Sequence, residues 1–202
     1  MIIADKISKS FGENILFNNL SFEIKNGEYV CFSGESGAGK TTLLNIIGLL
    51  EPVDSGKLII NGKASRTSRE LREYYKSEVG FLFQNFALVE NKTVDQNLKM
   101  VMTNRINNCS IDQALDWVGL TDKKNSKVYT LSGGEQQRVA LARLLIKPCN
   151  IILADEPTGS LDCRNAEIVM NLIERLNGTG KTVVLVTHDE TIKRRADRII
   201  TI

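Results

Sequence analysis

The stretch "YVCFSGESGAGKTTLLNII", residues 29 to 47, constrains this chain more than any other part of it. An apolar run ending in glycine reads as a buried strand, and "KTTLLNII" reads as the start of a helix, so a glycine-rich turn joins the two. In that context Gly34, Gly37 and Gly39 allow backbone N–H groups to wrap a β-phosphate. Lys40 carries charge toward the β- and γ-phosphates, and the Thr41 hydroxyl can hold Mg²⁺. A chance glycine-rich turn would not need a strand on one side and a helix on the other.

The rest of the chain fits an α/β fold around this unit. "LSFEI" alternates, "KLIING" is apolar and ends in glycine, and "VGFLFQ", "NIILAD" and "TVVLVTH" are near-continuous apolar runs of the kind buried on both faces of a parallel sheet. Helical patterns fall at 40 to 49, about 68 to 77, 93 to 103, 110 to 118, 133 to 147, 163 to 177 and 189 to 196. Alternation of strand and helix in the first and last thirds predicts a mostly parallel core sheet. From about Asn85 to Lys147 there are helical patterns and polar loops but no convincing strand, which predicts an inserted helical subdomain.

Two adjacent carboxylates, Asp155 and Glu156, end the strand "NIILAD". An acidic pair at a buried strand end is costly unless positive charge meets it. Asp155 fits a carboxylate on the Mg²⁺ side, and Glu156 is placed to orient and polarise an attacking water; solvated caps are the plainer alternative. Gln84 and His188 close two other strands, at the sheet edge where ligands of open α/β folds sit, though a lone Gln or His by itself is usually just a satisfied polar residue. Phe11 can stack on an adenine or fill the core of an early strand.

A second anion-binding signal follows far downstream. In "LSGGEQQRVALARLL", residues 131 to 145, Ser132, Gly133 and Gly134 open a long amphipathic helix and present bare N–H groups. A small domain seldom needs two such sites for one phosphate chain.

Taken together, "GESGAGKTT", Gln84, "LSGGEQQR", "IILADEP", "GSLD" at 159 to 162 and "TH" at 187 to 188 resemble, in order and rough spacing, the ATP-binding subunit of ABC transporters. The resemblance runs from about Ile7 to Ile202, and "LSGGEQQ" is its most discriminating element. It implies a phosphate-loop NTPase of class α/β with a mostly parallel core sheet, an amino-terminal antiparallel β subdomain and an inserted helical subdomain. The expected division is one ATPase domain, with 1–84 and 148–202 as the ATP-binding core and 85–147 as the helical part. The nucleotide-binding residues it implies are Phe11 on the adenine, Gly34, Glu35, Ser36, Gly37, Ala38, Gly39, Lys40, Thr41 and Thr42 of the phosphate loop, Gln84, Ser132, Gly133, Gly134 and Asp162. Thr41, Gln84 and Asp155 would serve Mg²⁺, and Glu156 (the base), His188 (on the γ-phosphate) and Lys40 would be catalytic. It also answers the question of the second signal: Ser132 and Gly134 would grip the γ-phosphate of an ATP held by another subunit, in a head-to-tail homodimer.

The sequence segments "SGESGAGKTTLLNIIGLLEPVDSGKLIING" and "GFLFQNFALVENKTVDQNL" look like the bacterial exporter group that includes lipoprotein-release, macrolide-export and bacteriocin-export ATPases. The longest apolar run, "TLLNIIGLL", is too short to span a bilayer, so a permease encoded separately is the expected partner, contacted near "NFALVENKTV". Four scattered cysteines and a single histidine make disulfides and histidine-rich metal sites poor readings, and with the charged amino terminus they suggest a cytosolic protein; the resemblance then implies a place on the cytoplasmic face of the membrane, beside the permease. A net charge of only +2 does not suit a nucleic-acid partner. A soluble relative acting on DNA or the ribosome, and a small phosphate-loop kinase, are the alternatives; the kinase would have no use for "LSGGEQQ".

Overall fold

The computed structural model describes the 202-residue chain except positions 84, 103–108 and 160. Gln84, the far end of the helix expected at 93 to 103, and Ser160 of "GSLD" therefore lie outside the described residues. In chain order the elements are β1 (Ile2–Phe11), β2 (Asn14–Ile24), β3 (Tyr29–Ser33), α1 (Lys40–Ile47), β4 (Ser55–Ile60), α2 (Ser68–Glu73), β5 (Val79–Leu82), α3 (Val94–Lys99), α4 (Ile111–Trp117), α5 (Gly133–Ile146), β6 (Ile151–Asp155), α6 (Cys163–Gly178), β7 (Thr182–Val186), α7 (Glu190–Lys193) and β8 (Arg198–Thr201).

Five strands form a parallel sheet in the order β5-β6-β7-β3-β8, and β2-β1-β4 form an antiparallel sheet. Because strand side chains alternate faces, the apolar runs of the parallel sheet feed two cores at once. Val30, Phe32, Ile151, Leu153, Val184 and Val186 pack with α1 and the antiparallel sheet. Cys31, Ile152, Ala154, Val183 and Leu185 pack on the other face with buried residues of α3, α4, α5 and α6. Each fully buried Val, Leu or Ile contributes about 1.5–3 kcal/mol relative to exposure, which is why uninterrupted apolar strands are stable only here.

Between Asn85 and Lys147 the described residues hold helices α3, α4 and α5 and no strand, only an isolated bridge between Thr93 and Lys127. Four helices start with the same reciprocal cap, in which a Ser or Thr hydroxyl accepts from the N3 amide and the N3 side chain accepts from the cap amide: Thr67/Glu70, Thr93/Gln96, Ser110/Gln113 and Ser132/Glu135.

Two departures from the sequence reading have physical causes. The helix expected over about 68 to 77 is split, α2 giving way at Tyr74–Glu78 to a wider π turn. There the Tyr74 and Tyr75 hydroxyls donate to the Ile47 and Leu49 carbonyls, 2.9 and 2.6 Å away, satisfying acceptors at the end of α1. The helix expected over 189 to 196 is a single turn, α7. Among the described residues no helix is long and apolar enough to cross a membrane.

Candidate functional site

The turn between β3 and α1 is held open by its glycines. Gly37 and Gly39 have φ of +84° and +87°, a conformation L side chains rarely adopt, and Gly39 caps α1 without any side-chain hydrogen bond. The first amides of α1 are thus left for a ligand, and the helix dipole adds positive character there. Lys40 folds back into the loop, its Nζ donating to the carbonyls of Gly34 at 3.0 Å and Glu35 at 2.7 Å. Among the described residues its third donor has no partner.

An open cavity of about 350 Å³ lies against this loop, lined by Phe11, Leu16, Ser36, Gly37, Gly39, Lys40, Thr41, Thr42, Glu156 and Val186. Phe11, the last residue of β1, is 52% exposed, so one face of its ring is open. On the floor, the Thr41 hydroxyl donates to Asp155 Oδ1 at 3.1 Å. Burial pushes the Asp155 carboxyl above its ordinary value and the Glu156 charge adds to this, while Thr41 and Lys40 pull the other way. A carboxylate so placed is destabilised until a cation reaches it. One hydroxyl and one carboxylate oxygen, hard donors beside a phosphate loop, fit Mg²⁺, which takes few protein ligands and completes its shell with water and phosphate oxygens. Among the described residues no cluster of three or more His, Cys, Asp or Glu offers a protein-only metal site.

Glu156 follows β6 in a left-handed conformation, φ +44°, unusual for a residue with a Cβ. Three bonds from the end of β7 hold its carboxylate: it accepts from the Thr187 hydroxyl at 3.2 Å, from the His188 amide at 3.1 Å, and lies 2.8 Å from His188 Nδ1. Its own amide donates to Val186 O at 2.9 Å. Strain of about 1–3 kcal/mol at such a residue persists only where neighbours over-determine it, as they do here. The Glu156 side chain is 18% exposed and that of His188 78%, so the imidazole stands in the open beside a sheltered carboxylate.

The second predicted anion site is built differently. Ser132 caps α5: its hydroxyl accepts from the Glu135 amide at 3.3 Å and its amide donates to the Glu135 carboxylate at 2.8 Å. That amide, then the hydroxyl, hold the Glu135 carboxyl below its ordinary value. Gly133 is exposed, and a Cβ placed there would touch nothing within 4 Å. Gly134 is buried, and a Cβ there would meet Asn165 at 2.8 Å. Asn165 is itself fixed, accepting from Arg138 at 2.6 Å and donating to Asp162, the cap of α6, at 2.6 Å. Ser132, Gly133, Gly134 and Asp162 do not line the cavity at the phosphate loop. The structure therefore gathers Phe11, the residues of the loop, Thr41, Asp155, Glu156 and His188, and leaves the α5 tip with Asp162 as a separate group.

Sequence reasoning missed Leu16, which lines the cavity from β2, and Thr187, whose position before His188 is the only signal it carried. Gln137, quoted within "LSGGEQQR", was given no role: 1% exposed, it donates to the Pro157 carbonyl at 2.7 Å and so ties α5 to the residue after Glu156.

Comparison with known proteins bears on the family and the fold. The family model described as "ABC transporter" matches residues 17–159. The macrolide export ATP-binding/permease protein MacB of Campylobacter jejuni is 38% identical over 209 residues, covering 100% of this chain and 33% of MacB, so the chain spans about a third of that relative's length. An uncharacterized ABC transporter ATP-binding protein of Methanocaldococcus jannaschii, MJ1508, is 38% identical over 211 residues, covering 99% of this chain and 94% of the relative. Among solved structures, the dimeric ABC transporter cassette MJ0796 aligns with a TM-score of 0.88 at 37% identity, covering 100% of this chain and 94% of that one. The same cassette in a dimeric post-hydrolysis state, bound to ADP and Pi, aligns at 0.86 with 36% identity and the same coverage.

Proposed function

Because the chain belongs to the ABC transporter family and is an ATPase of that kind, we propose that it binds and hydrolyses ATP between two copies of itself and drives a membrane-spanning permease, most plainly a bacterial exporter. The observation that carries this reading is the division of the site: the phosphate-loop cavity and the Ser132–Gly134 tip of α5 belong to one chain but do not meet. Dimers of MJ0796 support a partner copy as the source of the missing wall.

In this reading the uncapped amides of α1 and the Lys40 ammonium hold the phosphates, and the Phe11 ring holds the base. Thr41 and Asp155 would hold Mg²⁺, with Gln84 as a third ligand; when bound, the ion neutralises charge on the phosphates. Glu156 accepts a hydrogen bond from the attacking water and takes its proton, its carboxylate aimed by Thr187 and the His188 amide. The exposed His188 ring turns toward the γ-phosphate once the partner covers it. The partner's Ser132 hydroxyl and the amides of Gly133 and Gly134 meet the same phosphate, with Asp162 beside them. Groups supplied in trans to phosphoryl transfer accelerate it by about 10³–10⁵, or roughly 4–7 kcal/mol of barrier, so the monomer is a poor catalyst.

The permease contact falls on the segment after Gln84. Phe86 and Ala87 both have left-handed backbone, φ +61° and +48°, and Arg143 of α5 donates to their carbonyls at 2.9 and 2.6 Å; Val89, exposed, has its amide and carbonyl held by the Asn97 side chain. The relatives named as export ATP-binding/permease proteins support an exporter. On this reading the chain works at the cytoplasmic face of the membrane, through its permease.

The test is Glu156→Gln. It is expected to lower turnover by at least about 10³-fold while leaving ATP affinity within a factor of a few, so that ATP accumulates a dimer visible by light scattering. Loss of ATP binding in that variant, or a monomer that hydrolyses at the native rate, contradicts the proposal.

A further inference from the structure

Lys9 is a charged residue buried to 5% exposure in β1, two positions before Phe11 and on the same face of the strand. Burying a lone ammonium is costly, and here it is met twice: Nζ lies 2.7 Å from Glu51 Oε1 and 3.1 Å from Asp54 Oδ1. Asp54 also accepts from the Ser10 amide at 2.7 Å and from the Ser10 hydroxyl at 2.9 Å, and its own amide donates to Ser8 O at 3.0 Å. Residues 51 to 54 come just after the carboxyl end of α1, the helix whose other end carries the phosphate loop. The cluster therefore bolts the end of β1 to the far end of that helix. From this fixed place the ammonium sits 5.0 Å from the centre of the Phe11 ring, within cation–aromatic range. The ring is 52% exposed and lines the cavity above the phosphate loop.

Resting on the reading of Phe11 as the ring that stacks on the base, we infer that Lys9 is a positioning residue for nucleotide binding: anchored by Glu51 and Asp54, its ammonium holds the Phe11 ring over the cavity so that the opposite face meets the base. An unanchored phenylalanine at a strand end samples several rotamers, and ordering it on binding costs affinity. A ring held beforehand avoids that cost. The effect acts on the base alone, because nothing in the cluster faces the phosphates.

The experiment is calorimetric titration of the full chain with ADP and, separately, with inorganic pyrophosphate. Lys9→Gln is expected to weaken ADP about two- to fivefold, the size an exposed cation–aromatic contact carries, and to leave pyrophosphate unchanged. Lys9→Arg, which keeps the charge, restores most of the ADP affinity. In a Phe11→Ala background, Lys9→Gln has no further effect on ADP. Equal weakening of both ligands, or the same ADP loss in the Phe11→Ala background, overturns the proposal, since either marks a merely structural role. Unchanged ADP affinity in Lys9→Gln alongside a loss of about tenfold in Phe11→Ala also overturns it, while leaving the stacking ring in place. Phe11→Ala with undiminished ADP affinity removes the stacking ring itself, and the role of Lys9 with it.

Discussion

The two anion-facing regions of this chain are finished to different degrees. At the phosphate loop, glycines in left-handed conformations, a lysine parked on two carbonyls and a strained Glu156 held by three hydrogen bonds make a costly, fully assembled cradle. At the tip of α5 there is an ordinary helix start: a relaxed Ser132 cap and an open Gly133, where a Cβ would meet nothing within 4 Å among the described residues. Strain collects where one chain positions reacting groups alone, and it is absent where a surface only has to be met by something rigid. On the proposed reading, the difference is what a half-site looks like from inside a single chain.

The largest expected effect tests whether the α5 tip is used across an interface. Turnover per subunit should rise steeply with protein concentration, approaching the 10³–10⁵-fold gain of a trans contribution, and Ser132→Ala should flatten that rise. A steady-state assay from nanomolar to tens of micromolar protein reads it, and a rate per subunit independent of concentration breaks the contrast.

Next in size is a comparison of the two adjacent glycines. Gly134→Ala drives a methyl into Asn165, which Arg138 and Asp162 prevent from moving, so a net loss of about 1–2 kcal/mol is expected after the helix-forming gain of alanine. Gly133→Ala meets nothing in its own chain and should leave the melting temperature equal or higher, yet lower turnover because the methyl enters the partner's phosphate space. Thermal melts beside an ATPase assay separate the two, and parallel behaviour of both variants would merge what the structure distinguishes.

The smallest effect concerns the acid side. The Glu135 carboxyl is held below its ordinary value of 4.5 by the Ser132 amide first and then its hydroxyl, so its contribution to stability is complete above that value and is lost as pH falls through the lowered one. Glu135→Gln should remove this part of the acid dependence, lowering the melting temperature by about 1–2 °C at pH 7 and by progressively less as pH falls below about 4. An unchanged acid slope would show that the cap is not coupled to that carboxylate.

How much of this was legible depended on how local the physics is. Four of the five parallel strands could be read because burial on both faces demands unbroken apolar runs, as "NIILAD" and "TVVLVTH" display, whereas the short and largely exposed edge strand β8 shows no such run and was missed. The phosphate loop could be read because φ near +85° all but requires glycine. β1 was hard to read: "IIADKISKSF" carries a lysine that looks exposed and is buried by Glu51 and Asp54, more than forty positions away. For the same reason Gln137, Asn165 and Thr187 carried little or no sequence signal, since their work is to satisfy atoms brought near only by the fold. The π turn after α2 depended on carbonyls at the end of α1, which no window around Tyr74 contains.

Among the described residues, α1 is the one α-helix that begins without a side-chain cap. If the nucleotide supplies that cap, as proposed, occupancy of the pocket and cohesion of the fold become a single thermodynamic quantity. At a free ligand concentration one hundred times its dissociation constant, the native state gains about 2.7 kcal/mol, and a melting curve repeated across a dilution series of ADP becomes a binding isotherm needing no label.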